Sequence, residues 1–370
     1  MNYQQDERII LTLDAGGTNF VFSAMRGLKE IVAPISQPAY ADDLDKCLSS
    51  IINGFTKVKS LVSPKPSAIS FAFPGPADYP SGIIGDLGNL PAFKGGVPLG
   101  PIIEDKFNIP VFINNDGNLF AYGEAIAGFL LLVNNALSKN KFARRYKNLL
   151  GITLGTGLGA GIVISNELLV GDNSNGAEIW LMRNKINSSQ NVEETVSIRG
   201  LKKLYLDNCS YNHEIAPEPE QIYQIALGEF PGDREAAIDA FNKFGEAAGD
   251  AIAQAITLVD GLIVVGGGIS GAYSLFINSL IKEMTGKYLL NTGDEINRLD
   301  IKVYNWEDEK KRNEFLSFNP SEINLNKSGS TILYYKEKKS AIGLSKLGTS
   351  KAIAVGAYAF AVNELNKNKL

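Results

Sequence analysis

One plan occurs twice in this chain, and it limits the folds open to it. Residues 9–14 form a short apolar run that ends in the turn Asp14-Ala15-Gly16-Gly17-Thr18-Asn19 and leads into a second apolar run, residues 20–25. From Leu149 the stretch LLGITLGTGLGAGIVISNELLVG repeats it: apolar run, Gly155-Thr156-Gly157 turn, apolar run. Apolar runs of this length bounded by glycine read as buried strands, so each copy predicts strand, turn, strand. A repeated unit predicts two related lobes. Neither turn is a Walker loop, because no Gly-Lys-Ser/Thr follows, and neither is a Rossmann fingerprint, because a strand rather than a helix comes next.

The rest of the chain extends each copy into an α/β pattern. Residues 31–35 read as a third strand, and residues 42–62 place Leu44, Leu48, Ile51, Ile52, Phe55 and Val58 at helical spacing. Residues 68–73 and 111–113 read as buried strands. After the second copy, residues 236–258 predict a long amphipathic helix, residues 262–265 a buried strand ending in Gly266-Gly267-Gly268-Ile269-Ser270, and residues 271–287 another helix. Residues 307–339 are polar and broken by proline and glycine, which predicts a surface excursion or a small hairpin. Residues 350–365 are helical again. With 370 residues, 45% of them hydrophobic, the chain is long enough for two domains of about 100–200 residues each. The expected division is 1–125 plus 350–370 against 126–349, with the polar insertion near 307–339 in the second lobe.

Charge and composition narrow the partners. A formal charge of −4 supplies no positive field for a polyanion, so a small molecule is expected and nucleic acid is not. Cys47 and Cys209 stand far apart without paired spacing, which argues for a reducing compartment, the cytoplasm by default, and against a disulfide framework. The N-terminus lacks a signal-peptide pattern. The longest apolar stretch, residues 125–133, is far short of the roughly 18–20 residues of a membrane span and reads as the buried end of a helix; no membrane partner is expected. The basic run 139–147 reads as a solvated helix face, and His213, the one histidine, receives no role.

Several motifs carry chemistry. Adjacent glycines in the first turn let backbone N–H groups approach phosphate oxygens, Thr18 adds a hydroxyl, and Asp14 at the strand end is placed to hold Mg²⁺ through water. Gly155, Thr156 and Gly157 repeat that cradle. Gly266, Gly267 and Gly268 close a strand and open a helix, where N–H groups are free for a nucleotide. Asp116, one residue past a strand in INNDGNLFAYGEA, is placed to take the proton of an attacking hydroxyl while Asn115 fixes its neighbour; the plainer reading is an Asx turn or cap opening the helix that follows. Loops at Phe73-Pro74-Gly75-Pro76 and Gly88-Asn89-Leu90-Pro91 are candidates to line the same cleft. Glu178, Glu193 and Glu194 could bond sugar hydroxyls or be solvated surface acids.

Taken in order, DAGGTN, FPGPA, GNLP, INNDGNLFAYGEA, LGTGLGAGI and VVGGGIS resemble the ROK family of sugar kinases and sugar-responsive repressors over roughly residues 8–365. The resemblance implies a two-lobed actin-like, ribonuclease-H-like fold, with ATP and Mg²⁺ in a cleft between the lobes and the sugar beside them. It implies Asp116 as general base, Asn115 as sugar ligand, Asp14 near Mg²⁺, Gly16, Gly17 and Thr18 with Gly155–Gly157 around the phosphates, Gly266–Gly268 near adenosine, and Gly75 and Asn89 bordering the sugar. Two departures stand out. Family members carry Glu-x-Gly-His followed by a cysteine-rich zinc site, whereas here Glu178 remains, Trp180 and Leu181 replace the glycine and histidine, and no cysteines follow in the stretch that would carry the zinc site. No zinc is therefore expected, and Glu193, with Glu194 adjacent, is the match to the later sugar-binding glutamate. Repressors of the family carry a DNA-binding domain before the first motif, and only about a dozen residues precede Asp14 here.

The resulting expectation is an ATP-dependent kinase acting on a hexose or N-acetylhexosamine, at the primary 6-hydroxyl, assembled by the family's habit as a homodimer or higher homo-oligomer. A non-catalytic sugar sensor and another phosphotransferase of actin-like architecture are the alternatives.

Overall fold

The computed structural model describes residues 2–15, 18–75, 77–85, 91–142, 144–210, 216–318, 320–324 and 331–367. The chain divides into two compact units, one of residues 1–131, 160–177 and 346–370, the other of residues 132–159 and 178–345.

In the first unit, β1 (Ile10–Ala15) and β2 (Asn19–Arg26) pair antiparallel across the first glycine turn, from Ile10 opposite Met25 to Ala15 opposite Phe20. The short β3 (Lys29–Glu30) and β4 (Ile35–Pro38) pair with β2. Helix α1 (Leu44–Ser60) starts where the Asp43 carboxylate accepts the Lys46 N–H at 3.1 Å. Its apolar stripe buries Cys47, Ile51, Phe55 and Val58, and Phe55 meets Phe22 edge-on at 5.0 Å. Strand β5 (Ala68–Ala72) then runs parallel to β1. A hairpin, β6 (Ala77–Asp78) with β7 (Ile83–Ile84), and helix α2 (Leu99–Phe107) lead to β8 (Val111–Asn114), parallel to β5. Helix α3 (Asp116–Ile126) follows, and then α4 (Phe129–Lys139), whose residues from Leu132 count with the second unit.

The second unit repeats the arrangement. β9 (Leu149–Leu154) passes through the second glycine turn into β10 (Leu158–Ile164), whose residues from Ala160 count with the first unit and pair antiparallel with β11 (Glu167–Leu169). Next come α5 (Ile198–Asn208), α6 (Pro219–Leu227), α7 (Arg234–Val259), β12 (Leu262–Gly266) and α8 (Tyr273–Met284). A hairpin of β13 (Lys287–Leu289) and β14 (Glu295–Asn297) precedes β15 (Lys302–Asn305), α9 (Glu309–Leu316), a second hairpin of β16 (Ser321–Asn324) and β17 (Thr331–Tyr334), and β18 (Lys339–Leu344). Strands β9, β12, β18 and β15 lie side by side, all parallel. Every residue of β12 is buried, which is why its sequence is an unbroken Leu-Ile-Val-Val run instead of an alternating one. Segment 307–339 is more than a surface excursion: its hairpin is exposed, but Phe315 on α9 is fully buried against Tyr146, Tyr304 and Trp306.

The basic run 139–147 corrects the sequence reading. Helix α4 ends at Lys139, and the Asn134 side chain folds the chain back by bonding both the N–H and the C=O of Tyr146, at 2.9 and 2.8 Å. Past Lys139 the cations lie on a return loop, not a helix face.

The last helix, α10 (Thr349–Lys367), returns to the first unit and packs on α3. A Cβ on Gly123 would fall 1.9 Å from the Ala352 carbonyl oxygen, and one on Gly356 would fall 1.9 Å from that of Leu119. Two glycines therefore let the helix backbones touch. Buried Glu124 locks the same corner, accepting the Phe129 N–H at 2.7 Å and the Leu347 N–H at 3.3 Å. Residues 116–139 form one stretch apolar and long enough to cross a membrane, with mean hydropathy 1.3, but 61% of its window is buried within the protein.

Candidate active site

Parallel pairing in the first unit brings three motif ends to one sheet edge. Ala72 of β5 is level with Asn114 of β8, and β1 runs in register with β5 from Ile10 opposite Ala68. Asp14, the loop with Gly75, and the Asn115-Asp116 pair thus leave the carboxyl ends of three neighbouring strands, where ligands bind in open α/β sheets. The Phe73 N–H donates to the Asn114 carbonyl at 3.0 Å, and the Tyr79 hydroxyl, which donates to the Phe73 carbonyl, lies 3.2 Å from where a Gly75 Cβ would stand. Thr18 is exposed, its carbonyl accepting the Ala39 N–H at 3.0 Å. Gly16, Gly17 and Asn89 lie outside the described residues.

Asn115 caps α3, its Oδ1 accepting the Gly117 N–H at 2.8 Å. The capping reading is what the structure shows, and it leaves the Asp116 carboxylate open to the functional one. A Cβ on Gly117 would sit 2.5 Å from the Ala160 carbonyl oxygen, and one on Gly161 would sit 2.4 Å from that of Gly117, so β10 presses directly on the first turn of α3. Beneath lies a pair the sequence reading passed over. Buried Asn114 accepts, through Oδ1, from the Asn115 N–H at 2.8 Å and the Asn118 Nδ2 at 3.0 Å. The run of two asparagines before Asp116 was the available signal. Asp116 itself reaches solvent, yet desolvation by the surrounding protein is the largest influence on its carboxyl and raises it above the usual carboxylate range. The N–H groups of Gly117 and of Asp116 oppose this, and the Asp14 charge adds to it.

In the second unit the two glycine turns meet at the carboxyl ends of neighbouring parallel strands, with Gly266 opposite Thr153. Gly267 has φ +87° and no room for a Cβ, which would fall 2.3 Å from the Leu154 carbonyl oxygen. A Cβ on Gly155 or on Gly268 would meet nothing within 4 Å, so open space lies over both turns, as a phosphate or adenosine cradle needs. The Gly266–Gly268 turn opens into a 3₁₀ turn, Gly268–Ala272, before α8 starts at Tyr273.

Glu178 and Glu193 sit on adjacent 3₁₀ turns, Ile179–Leu181 and Val192–Glu194, joined by the Val192 N–H to Met182 carbonyl bond at 2.8 Å. The Trp180 indole N–H donates to Glu178, and Leu181 beside it is 59% exposed. Glu193 accepts the Leu158 N–H at 2.9 Å and pairs with Arg199 at 2.8 Å; Glu194 pairs with the same guanidinium at 2.7 Å.

The donor set for a cation is spare. Among the described residues no group of three or more His, Cys, Asp and Glu could hold a metal ion. A lone carboxylate such as Asp14 suits Mg²⁺, which keeps most of its water, and does not suit a structural zinc.

A crystal structure of glucokinase from Parabacteroides distasonis superposes with a TM-score of 0.88 at 50% identity, covering 98% of this chain and 99% of that one. The N-acetyl-D-glucosamine kinase of Vibrio cholerae is 27% identical over 290 residues, 75% of this chain and 89% of its own length. A ROK family glucokinase from Streptomyces griseus, solved with glucose and AMPPNP, shares the fold at TM-score 0.59 and 18% identity, covering 95% and 97% of the two chains. The architecture is the actin-like, ribonuclease-H-like ATPase fold. The ROK family profile matches residues 10–310, and the chain belongs to the ROK family.

Proposed function

We infer that this chain is an ATP-dependent carbohydrate kinase that transfers the γ-phosphate to a hexose hydroxyl. Glucose at its 6-hydroxyl is the first choice of substrate, supported by 50% identity to a protein named glucokinase, and N-acetylglucosamine is the second, supported by the 27% relative. The observation that carries the reading is the Asn115-Asp116 pair, a carboxylate raised in pKa at a strand end and at the start of a helix locked in place by glycine contacts.

In this reading Asp116 takes the proton of the sugar hydroxyl as its oxygen attacks the γ-phosphate. Asn115 spends Oδ1 on the Gly117 N–H and keeps Nδ2 to donate to a neighbouring hydroxyl. Glu178, its carboxylate fixed by the Trp180 indole, accepts from further hydroxyls, while the exposed Leu181 offers that end of the sugar an apolar contact. Gly155, Thr156 and Gly157, with Gly16–Thr18, receive the phosphates, and Gly266–Gly268 receive the adenosine. Mg²⁺ held through water at Asp14 would supply charge neutralisation on the phosphates. The two unpaired cysteines, Cys47 and Cys209, support a reducing, cytoplasmic setting.

The test is ADP release by the purified protein with Mg·ATP against a panel of hexoses, N-acetylhexosamines and ketoses. A sugar-dependent signal reduced at least about 10²-fold in Asp116→Ala is expected, the usual scale of general base catalysis. Silence across the panel with sugar binding intact would make the protein a sensor.

A further inference from the structure

We propose that Glu193 is a positioning residue for the Gly155–Leu158 turn, and through it for the phosphates of ATP. The proposal rests on the kinase reading's assignment of that turn to phosphate.

The carboxylate is built into the turn. Its Oε2 accepts the Leu158 N–H at 2.9 Å and stands 2.4 Å from where a Cβ on Gly157 would be. Gly157 is thus glycine because a carboxylate occupies its side-chain space, whereas Gly155 has open space there. The same segment holds the other end of the turn, since the Ile198 N–H donates to the Gly155 carbonyl at 2.9 Å. The Gly155 N–H closes the turn on the Gly157 carbonyl at 3.0 Å. Two of the turn's donors are therefore spent on its shape, and the N–H groups of Thr156 and Gly157 take no partner among the described residues. Those two are the ones a phosphate would meet.

A bare carboxylate beside a polyphosphate would repel it, and Arg199 answers this by binding Glu193 at 2.8 Å and Glu194 at 2.7 Å. The backbone under Glu193 is fixed in turn. Fully buried Asn184 donates through Nδ2 to the Thr195 hydroxyl at 2.7 Å and the Asn191 carbonyl at 3.2 Å, and accepts from the Ile186 N–H at 2.9 Å. The Asn184 N–H reaches the Gln190 carbonyl at 3.0 Å, and the Ser197 hydroxyl donates to the Glu193 carbonyl at 2.7 Å. One buried amide and one hydroxyl hold the segment that carries the latch.

The experiment measures Mg·ATP binding to the full chain by calorimetry without sugar, together with KM for ATP and for the sugar. The variants are Glu193→Ala, Glu193→Gln, Gly157→Ala and the Gly157→Ala/Glu193→Ala double. The added methyl of Gly157→Ala meets the far end of a flexible side chain, so it swings the carboxylate off the Leu158 N–H without moving backbone. Each alanine variant is expected to weaken Mg·ATP about tenfold, the scale of one charged hydrogen bond. The double is expected to be no worse than either single, because both remove one contact. Glu193→Gln keeps an acceptor for the Leu158 N–H and is expected to bind within about threefold of wild type, and the sugar KM stays put in all four. A raised sugar KM with unchanged Mg·ATP affinity would make Glu193 a sugar ligand and overturn the proposal, as would additive losses in the double or a wild-type chain that binds no Mg·ATP. A wild type that binds Mg·ATP but releases no ADP with any sugar defeats the kinase reading alone, and the binding series still decides the latch.

Discussion

In the proposed mechanism Asp116 must be ionised, a protonation state that its surroundings oppose. Desolvation by the surrounding protein raises its carboxyl, and Asp14 adds to the effect. A general base must be ionised, so kcat/KM falls as pH drops through this raised value, and the acid limb of the profile is expected above the ordinary aspartate value of about 3.9. A limb at the ordinary position would mean that Asp116 is not the titrating base. The residue types and order at this site were legible in the sequence, because a strand end followed by Asn-Asp-Gly is a local pattern. What was not legible is the support beneath it. Asn114 bonding both the Asn115 N–H and Asn118 needs β8 and α3 in their final places, and sequence spacing does not report that.

At the level of elements, glycine contacts decide where α3 stands. Gly123 and Gly356 bring α3 and α10 to backbone contact, each with 1.9 Å where a Cβ would have to fit against carbonyl oxygen. Gly356→Ala is expected to cost about 1–3 kcal/mol, the range for overpacking, read as a lower melting temperature. It should also reduce kcat, because α3 carries Asp116 at its first turn. Unchanged melting would show that the two helices slide apart freely. The sequence reading expected both helices but not their crossing, since a glycine inside an apolar helix looks the same whether it faces a neighbour or solvent. The basic run misled for a related reason: its charges suit a helix surface, and the Asn134 bonds to Tyr146, with the Phe142 N–H bond to the Leu137 carbonyl, bend it into a loop. The segment 182–195 carries a third case. With Asn184 closing it by hydrogen bonds, a zinc-selective chelator should leave melting and turnover unchanged, while stripping Mg²⁺ abolishes turnover until the ion is restored; unfolding by the chelator would reveal a metal in that segment.

Across the whole molecule the sequence announced its repeat, since two strand-turn-strand copies each begin a sheet with parallel strands following, and the order of apolar runs carries that directly. It did not announce that residues 160–177 pack with the first unit, because the grouping depends on long-range contacts such as Gly117 with Ala160 and Gly161. The candidate site residues divide between the two units. The candidate base and its asparagines belong to the first unit, and the Gly155–Leu158 and Gly266–Gly268 turns belong to the second. Backbone amides exchange with solvent according to local opening, and a ligand suppresses that opening where it binds. Hydrogen exchange with Mg·ADP alone is therefore expected to slow at residues 155–158 and 266–270, with little change at 114–118. Sugar alone should slow 114–118 and leave 266–270 as in the free protein. If Mg·ADP instead protected 114–118 and spared both glycine turns, the nucleotide would have to be moved off the second unit, and the assignment of the glycine turns to phosphate and adenosine would fall with it.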